Sequence, residues 1–397
     1  MEILIKNVRI VDYKKDFCGD VYIKDGKINR VDKEIIADCK TIDGRDKVLM
    51  PSFVDLHAHF RDPGFTYKED IQTGSKAAVK GGYTVVNLLA NTKPVCSDMK
   101  TVEYVLKRAD EVGLVHVHQT VSITKDLMGK DISHLDDIDE KVMFISDDGK
   151  GVDNNYVMLE AMKKAKDKNL TIISHAESQD LSNIDMRLAE NFMTWRDIEL
   201  AKYTGCKLHM AHVSTKESLE YVIDAKKEGY GITCEVTPHH LALPENTPYR
   251  VNPPIREKDD IDYLIRAIKE GYVDAIGTDH APHSLEDKKN GSPGISGIET
   301  SFSVTYTKLV KEGHISLNEL SNIMSRRPSE IMKLNKGQIT EGYDADLVLL
   351  DLNKSYSVDS EKFVSKGKNS PFDGMKVYGE VLSTLKEGNL VYDANDK

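Results

Sequence analysis

Residues 50–64 read MPSFVDLHAHFRDPG, an apolar run that ends in two histidines and is followed by an arginine and a Pro-Gly turn. The apolar part is typical of a buried strand. Alternate side chains of a strand share a face, so we expect His57, His59 and Arg61 to converge where this strand ends. The stretch predicts a polar site at one end of a buried sheet.

Similar apolar runs recur through the middle of the chain, where they alternate with amphipathic segments. We count eight such runs: VLMPSFVDLHAHF, YTVVNLLAN, LVHVHQTVSI, VMFISDDG, LTIISHAE, KLHMAHVS, GITCEVTP and VDAIGTDHAP. Helical segments follow most of them, among them SDMKTVEYVLKRADEVG and DDIDYLIRAIKEG. Eight strand–helix units predict an α/β fold of the TIM type, a (β/α)8 barrel, with a doubly wound parallel sheet as the alternative.

One of these segments, STKESLEYVIDAKKEG at residues 214–229, carries clear end signals. Ser214 is a natural N-cap, and the final glycine is a natural residue just beyond the helix end. The aromatic residues of the preceding segment, Trp195 and Tyr203, are expected to pack within the core or between helices.

Both ends of the chain differ from its middle. Residues 1–50 and 337–397 read as short strands joined by turns. We therefore expect a small discontinuous β-rich domain built from both termini, and a barrel domain over residues 51–336.

The bulk composition limits the partners and the compartment. A formal net charge of -11 argues against binding to nucleic acid, which requires clustered Lys and Arg. The five cysteines are scattered without metal-site spacing, which fits a reducing compartment. Apolar stretches remain shorter than the 18 or so residues that a membrane span needs. The sequence predicts a cytoplasmic protein that uses no membrane.

Polar residues with ligand chemistry gather at the ends of the predicted strands, where the active sites of barrels lie. They are His57, His59, Asn91, Asp147, Asp148, His175, His212, Asp279, His280 and His283. Four histidines and two carboxylates from these ends would form a metal-ligand set suited to zinc, with manganese or cobalt as alternatives. Six ligands exceed one tetrahedral site, so we expect two divalent metal ions that activate water and polarise a carbonyl.

Other histidines fit a structural role better. His116 and His118 lie early in their run, which places them toward the middle or bottom of the barrel. His239 and His240 follow EVTP near the rim, where packing beside the site is as good an interpretation as ligation.

Several motifs together carry a family resemblance: SFVDLHAHFRDPG, KGGYTVVNLLANTKPV, ISDDGKGV, ISHAE, AHVSTKES, EVTPHHL, RVNPPIR and IGTDHAPH. With them the chain resembles the cyclic amidohydrolase group of the amidohydrolase superfamily, and within it the class I dihydroorotases. The resemblance runs from residue 1 to about residue 390.

This resemblance implies roles for individual residues. The implied metal ligands are His57, His59, Asp148, His175, His212 and Asp279. Asp148 would bridge the two ions, expected to be Zn²⁺, and Asp279 would also act as the catalytic general base. Arg61, Asn91 and His283 would bind a substrate carboxylate, and Asn252 would help to hold the ring. A guanidinium beside the metals suits a substrate with a carboxylate.

The implied activity is the reversible hydrolysis of dihydroorotate to N-carbamoyl-L-aspartate, whose ring closure belongs to de novo pyrimidine biosynthesis. The alternatives are a hydantoinase (dihydropyrimidinase) or an allantoinase, relatives in which a carboxylated lysine bridges the metals. Lys150 is the nearby lysine that could take this role instead of Asp148. A non-catalytic partner subunit is a further alternative, although it would be expected to lack several ligands. The resemblance also allows a homodimer or an association with aspartate transcarbamoylase.

Overall fold

The two ends of the chain meet in one sheet. The computed structural model describes residues 2–395. The strands of its terminal segments are β1 Glu2–Val11, β2 Asp16–Lys24, β3 Lys27–Asp32, β4 Lys40–Asp43, β5 Val48–Pro51, β14 Leu347–Ser357, β15 Lys376–Lys386 and β16 Asn389–Asp393. They pair in the order β16-β15-β14-β5-β1-β2-β3, with β4 added alongside β1. The antiparallel pairing of β5 with β14 joins the two ends and confirms the predicted β-rich layer.

The middle of the chain forms a strand at each of the eight predicted runs. These strands are β6 Phe53–Ala58, β7 Tyr83–Leu88, β8 His116–Gln119, β9 Phe144–Ile145, β10 Thr171–Ser174, β11 Lys207–Met210, β12 Ile232–Val236 and β13 Ala275–Ile276. They pair in parallel as β6-β7-β8 and as β9-β10-β11-β12-β13.

Two parallel contacts close these sheets into a ring. Val121, just after β8, bridges to Ile145 of β9, and the N–H of Ser146 donates to the Val121 carbonyl at 2.9 Å. On the other side Ala58 of β6 bridges to His280, which follows β13. The parallel ring confirms the barrel prediction over the doubly wound sheet.

Helices follow most of the barrel strands. They are α1 Ile71–Lys80, α2 Met99–Val112, α3 Asn155–Asp167, α4 Gln179–Ser182, α5 Met186–Thr204, α6 Lys216–Lys227, α7 Pro238–Ala242, α8 Lys258–Lys269, α9 Leu285–Lys289, α10 Ser301–Thr305, α11 Leu317–Ser321 and α12 Arg327–Ile331. Turns of π-helix at Tyr306–Lys311 and Asn322–Arg326 continue α10 and α11.

The predicted start of α6 is wrong by one residue. Thr215 is the N-cap, and its side chain accepts a hydrogen bond from the N–H of Ser218. Ser214 is fully buried instead. Its N–H and its hydroxyl both donate hydrogen bonds to the Glu190 carboxylate. The glycine at the other end, Gly229, has a φ of +87° as expected beyond a helix end.

One face of α5 is apolar and exposed. Leu188, Phe192, Trp195 and Tyr203 follow each other at helical spacing and are exposed by 49, 47, 49 and 77%. The expectation that Trp195 and Tyr203 pack in the core or between helices is wrong, because α5 presents its other side to the barrel.

The floor of the barrel is a small apolar cluster. Val54, Phe144, Ile173 and Ala275 come from strands on different sides of the ring and pack together. Met332, which follows α12, joins them from below. This packing closes the interior beneath the carboxyl ends of the strands, as in other barrels of this type.

The segment between β14 and β15 reaches the mouth of the barrel. Phe363 and Phe372 pack with Leu243 and Ile295 of the barrel loops. The side-chain amide of Asn369 contacts the loop after β13, where its oxygen accepts from the backbone N–H of His283 at 2.9 Å. The chain beyond residue 337 thus contributes to the rim as well as to the sheet. The domain limits at residues 51 and 337 stay a proposal.

Within residues 2–395, no helix combines the length and apolar character needed to cross a membrane.

Candidate metal centre and active site

The predicted ligands all lie at the carboxyl ends of barrel strands. His57 is the next-to-last residue of β6, and the other five lie one to three residues beyond a strand: His59 after β6, Asp148 after β9, His175 after β10, His212 after β11 and Asp279 after β13. All six side chains are buried. The closed ring therefore brings together residues that are up to 222 positions apart in the sequence.

Their ligand atoms are close enough to share cations. His57, Asp148 and His212 form one group with ligand atoms within 4.8 Å of one another, and His57, His59 and Asp279 form a second. His175 lies beside the first group, with Nδ1 at 2.8 Å from His212 Nε2.

The donor atoms face each other in a way that a cation would satisfy. His57 Nε2 is buried and makes no hydrogen bond, although Asp148 Oδ1 lies 3.2 Å away. Although burial lowers the pKa of His57, the Asp148 carboxylate raises it well above its ordinary value overall. Burial opposes ionisation of Asp148, but His57, His175 and His212 hold its pKa well below the usual range. Imidazoles and ionised carboxylates in this arrangement fit divalent metal binding.

A buried glutamate that sequence reasoning missed supports His57 from behind. Glu235 Oε1 lies 2.8 Å from His57 Nδ1, and Oε2 lies 3.3 Å from His209 Nε2. Despite full burial, which raises it, the pKa of Glu235 is lowered to about 2 by His209 and His57. A carboxylate on the far nitrogen of a ligating histidine fixes its tautomer and strengthens it as a ligand.

The position of Glu235 carried a signal in the sequence. It is the charged residue inside the apolar run GITCEVTP, and a charge in a buried strand requires a partner. The residue directly after the neighbouring strand β13 is Gly277. A larger residue would not fit there, because a Cβ on Gly277 would lie 2.4 Å from the Glu235 carboxyl carbon.

A turn after β6, and not the strand itself, places Arg61 at the site. Strand β6 ends at Ala58, so Arg61 does not share a strand face with His57, and the alternation argument is wrong for it. The residue instead has a φ of +60°, a left-handed turn conformation uncommon for arginine. This turn places its guanidinium beside His283, with Nη2 at 3.4 Å from Nε2.

Asn91 and Asn252 also lie at the site, where their amides already have partners. Asn91 Oδ1 lies 2.8 Å from His59 Nδ1, and its Nδ2 donates to Asp148 at 3.1 Å. Asn252 Nδ2 donates to Glu177 at 2.6 Å, and Glu177 also lies 3.0 Å from His175 Nε2. Both asparagines therefore help to orient the side chains around the candidate metal ligands.

These residues enclose a small cavity of about 200 Å³. Its walls are His59, Arg61, Asn91, Asp148, Gly149, His175, His212, Asn252, Asp279, Ala281, His283, Ser292, Pro293 and Gly294. A larger cavity of about 550 Å³ lies near the other end of the barrel and is lined without histidine. The chemistry therefore belongs to the smaller cavity, which has room for a small ring.

Other strand-end residues point away from it. Asp147 accepts from the N–H of Thr124, and His280 Nε2 lies 3.4 Å from Glu69. His118 accepts from the backbone N–H of Met143, as expected for a structural residue. His240 bonds to Thr237 and to the carbonyl of Pro253.

Lys150, the alternative metal bridge, is exposed on the surface and does not line the cavity. His239 is fully buried, and neither of its ring nitrogens has a hydrogen-bond partner.

Known proteins resemble this chain over nearly its whole length. Residues 48–391 match the model of the Amidohydrolase family. A dihydroorotase of Clostridium botulinum (strain Eklund 17B / Type B) is 56% identical over 396 residues, which cover 99% of this chain and 100% of that protein. A dihydroorotase of Ruminiclostridium cellulolyticum is 39% identical, with 98% of both chains covered.

Solved structures show the same fold. An L-hydantoinase (dihydropyrimidinase) from Arthrobacter aurescens superposes with a TM-score of 0.91 at 25% identity, covering 98% of this chain and 96% of that one. A dihydropyrimidinase from Brevibacillus agri gives a TM-score of 0.86 at 24% identity, covering 99% and 95%. The resemblance inferred from the motifs is confirmed, and the chain belongs to the amidohydrolase family.

Proposed function

We propose that the protein is a metal-dependent dihydroorotase, which reversibly hydrolyses dihydroorotate to N-carbamoyl-L-aspartate. The observation that carries this proposal is one small cavity with a metal-ligand cluster on one wall and the Arg61 guanidinium on another. The substrate requires both, since it has a ring amide to hydrolyse and a carboxylate to recognise. The full-length similarity to dihydroorotases supports the same activity.

The ligand cluster supports divalent metal use, and we propose two ions, both Zn²⁺. Asp148 would be shared between the ions, because it is close to ligand histidines from several strands. When bound, such ions supply a nucleophilic water at neutral pH and polarise the carbonyl that it attacks.

In this proposal Asp279 moves the proton. Burial raises its pKa, but hydrogen bonding to His59 and the nearby His57 lower it below the ordinary range, so the carboxylate is ionised at neutral pH. An ionised carboxylate can take a proton from the attacking water and pass it to the departing ring nitrogen.

Substrate recognition would lie on the wall formed by Arg61 and His283. Arg61 is half-buried, and its buried Nε has no hydrogen-bond partner, which leaves a donor for a carboxylate. Asn91 and Asn252 hold metal-cluster groups and border the ring position. A charge-assisted hydrogen bond between a guanidinium and a carboxylate is among the stronger hydrogen bonds in proteins.

The related activities are supported less well. Hydantoinase and allantoinase substrates lack the ring carboxylate. Those enzymes would also need a carboxylated lysine between the metals, and Lys150, the candidate for this role, is exposed on the surface. A non-catalytic partner subunit would not need six buried ligands.

The direct test is a ring-opening assay of the purified metal-loaded protein with dihydroorotate, hydantoin and allantoin side by side. We expect dihydroorotate to be hydrolysed with the highest kcat/KM. A preference for hydantoin or allantoin would replace the proposal with the corresponding alternative. Absence of turnover together with well under two metal equivalents would favour the partner-subunit role.

The exposed face of α5 suggests how the protein assembles. Its four large apolar side chains, together with Ile184 just before α5 (76% exposed) and Tyr156 on the adjacent helix α3 (70% exposed), present roughly 600 Å² of surface. This approaches the ~800 Å² that each partner buries in a standard interface. We propose that a second copy of the chain covers it, since a two-fold axis pairs one patch with itself.

Light scattering should report a dimer for the wild type and a monomer for Trp195→Glu. An unchanged mass would refute this surface as the interface. Association with aspartate transcarbamoylase stays a prediction, as does a cytoplasmic location.

A further inference from the structure

Lys68 lies behind the carboxylate-binding wall. Its Nζ is 3.3 Å from Nδ1 of His283 and 3.3 Å from Oδ1 of Asp287. The side chain is only 14% exposed, and it is not among the residues that line the cavity. The cavity-lining residue that Lys68 contacts is His283.

His283 stands between two cationic groups. Lys68 Nζ faces its Nδ1, while Nη2 of Arg61 faces its Nε2 at 3.4 Å. Ammonium and guanidinium groups only donate hydrogen bonds, and a neutral imidazole has one donor and one acceptor. His283 can therefore accept from one of these neighbours but not from both.

The imidazole is neutral at physiological pH. Burial lowers the pKa of His283 to about 3, helped by the positive charges of Arg61, Lys68 and the nearby Lys288. Asp287, the acidic group facing it, raises this pKa and is itself paired with Lys68.

The two tautomers have opposite consequences for the cavity. With the proton on Nδ1, Nε2 accepts from Arg61 and occupies one guanidinium donor. With the proton on Nε2, Nδ1 accepts from Lys68, and the N–H groups of His283 and Arg61 face each other unpaired. An acceptor placed between them then receives two hydrogen bonds.

We propose that Lys68 is a positioning residue that holds His283 in the Nε2–H tautomer, so that His283 and Arg61 both donate to the substrate carboxylate. This inference rests on the proposed function. It extends recognition of the carboxylate to a residue that does not touch it.

Kinetics provide the first test, with Lys68→Met as the main variant. We expect KM for dihydroorotate to rise about tenfold, the worth of roughly one hydrogen bond, with kcat within twofold. Hydantoin has no carboxylate, so its kcat/KM should not change. Lys68→Arg keeps a donor and should recover most of the affinity. Lys366→Met is the matched control, because Lys366 bonds to Thr66 and Asp70 of the same loop without a contact to His283.

Nitrogen NMR of histidine-labelled protein provides a second test that does not depend on turnover. The His283 signal, assigned by its loss in His283→Gln, should report Nε2–H in the wild type and Nδ1–H in Lys68→Met. If wild-type protein hydrolyses no dihydroorotate, the proposed function fails, while this measurement still tests the tautomer.

Two results would overturn the inference. One is an Nε2–H tautomer that persists in Lys68→Met. The other is an equal loss of kcat/KM for dihydroorotate and hydantoin, or the same loss in Lys366→Met, which would mean that the lysine only supports the loop.

Discussion

The two ends of the barrel use the same strands for opposite purposes. At the floor, Val54, Phe144 and Ile173 pack into an apolar cluster that excludes polar groups. A few residues further along these strands, the rim carries His57, Asp148 and His175 in a buried polar cluster. The floor gains stability from burial, whereas the rim gathers histidines and carboxylates in an arrangement suited to binding divalent cations.

Backbone conformation shows the same contrast. At the rim, Arg61, His212 and Asp279 have φ values of +60°, +33° and +44°, in the left-handed region that side chains disfavour. Such conformations persist where the surrounding structure enforces them and are frequent at functional sites. Substitutions at the rim should therefore affect chemistry, and those at the floor should affect stability.

The largest effect is expected at Asp279. Asp279→Ala removes a metal ligand and the proposed proton carrier, so kcat should fall by about 10³–10⁴-fold. The ring-opening assay measures this, with circular dichroism to verify folding. Asp259→Ala, in the exposed first turn of α8, is the control and should retain full activity. Near-normal kcat in Asp279→Ala would exclude it as the base.

The floor is tested by Met332→Ala. This side chain is 2% exposed, and truncation of a buried methionine should lower the free energy of unfolding by about 2–5 kcal/mol. Urea denaturation measures the loss, and Met128→Ala, at a site that is 64% exposed, is the control. Activity per folded molecule should not change. A large loss of kcat without loss of stability would contradict the division between the two ends.

Glu235 lies between the two ends and should affect metal affinity. Glu235→Gln keeps the shape but removes the charge behind His57, so metal affinity should fall about 10–100-fold. Metal retained after dialysis against a chelator is the measurement, and excess metal should restore kcat. Unchanged retention would show that the carboxylate serves only packing.

The smallest effect is expected at Lys150. If Asp148 bridges the metals, Lys150→Met should keep activity within twofold, and added bicarbonate should not change the wild-type rate. Assays with and without bicarbonate decide this. A bicarbonate requirement that disappears with the lysine would establish the carboxylated-lysine alternative.

Prediction from the sequence succeeded where local pattern and global fold agree. All eight strands were expected from apolar runs, because burial on both faces leaves a continuous apolar signal. The candidate ligands follow from the rule that barrel sites lie at the carboxyl ends of strands. Arg61 was expected at the site for a reason that proved wrong, since a turn and not a strand face brings it there.

The misses are contacts between distant parts of the chain. Glu235 supports His57 from 178 positions away, and Lys68 contacts His283 from 215 positions away. Asn369 reaches the rim from a segment assigned to the terminal domain. The exposure of Trp195 depends on which side of α5 meets the barrel, and its aromatic character alone predicted burial.

The sequence by itself determined the eight-fold alternation, the residues with ligand chemistry and the family, because periodicity and motif spacing are properties of neighbouring residues. Only the tertiary structure decided which side chains share an atom-scale environment: the carboxylate behind His57, the cations on either side of His283 and the apolar face left on α5. Ring closure sets these distances, and closure depends on the packing of the whole chain.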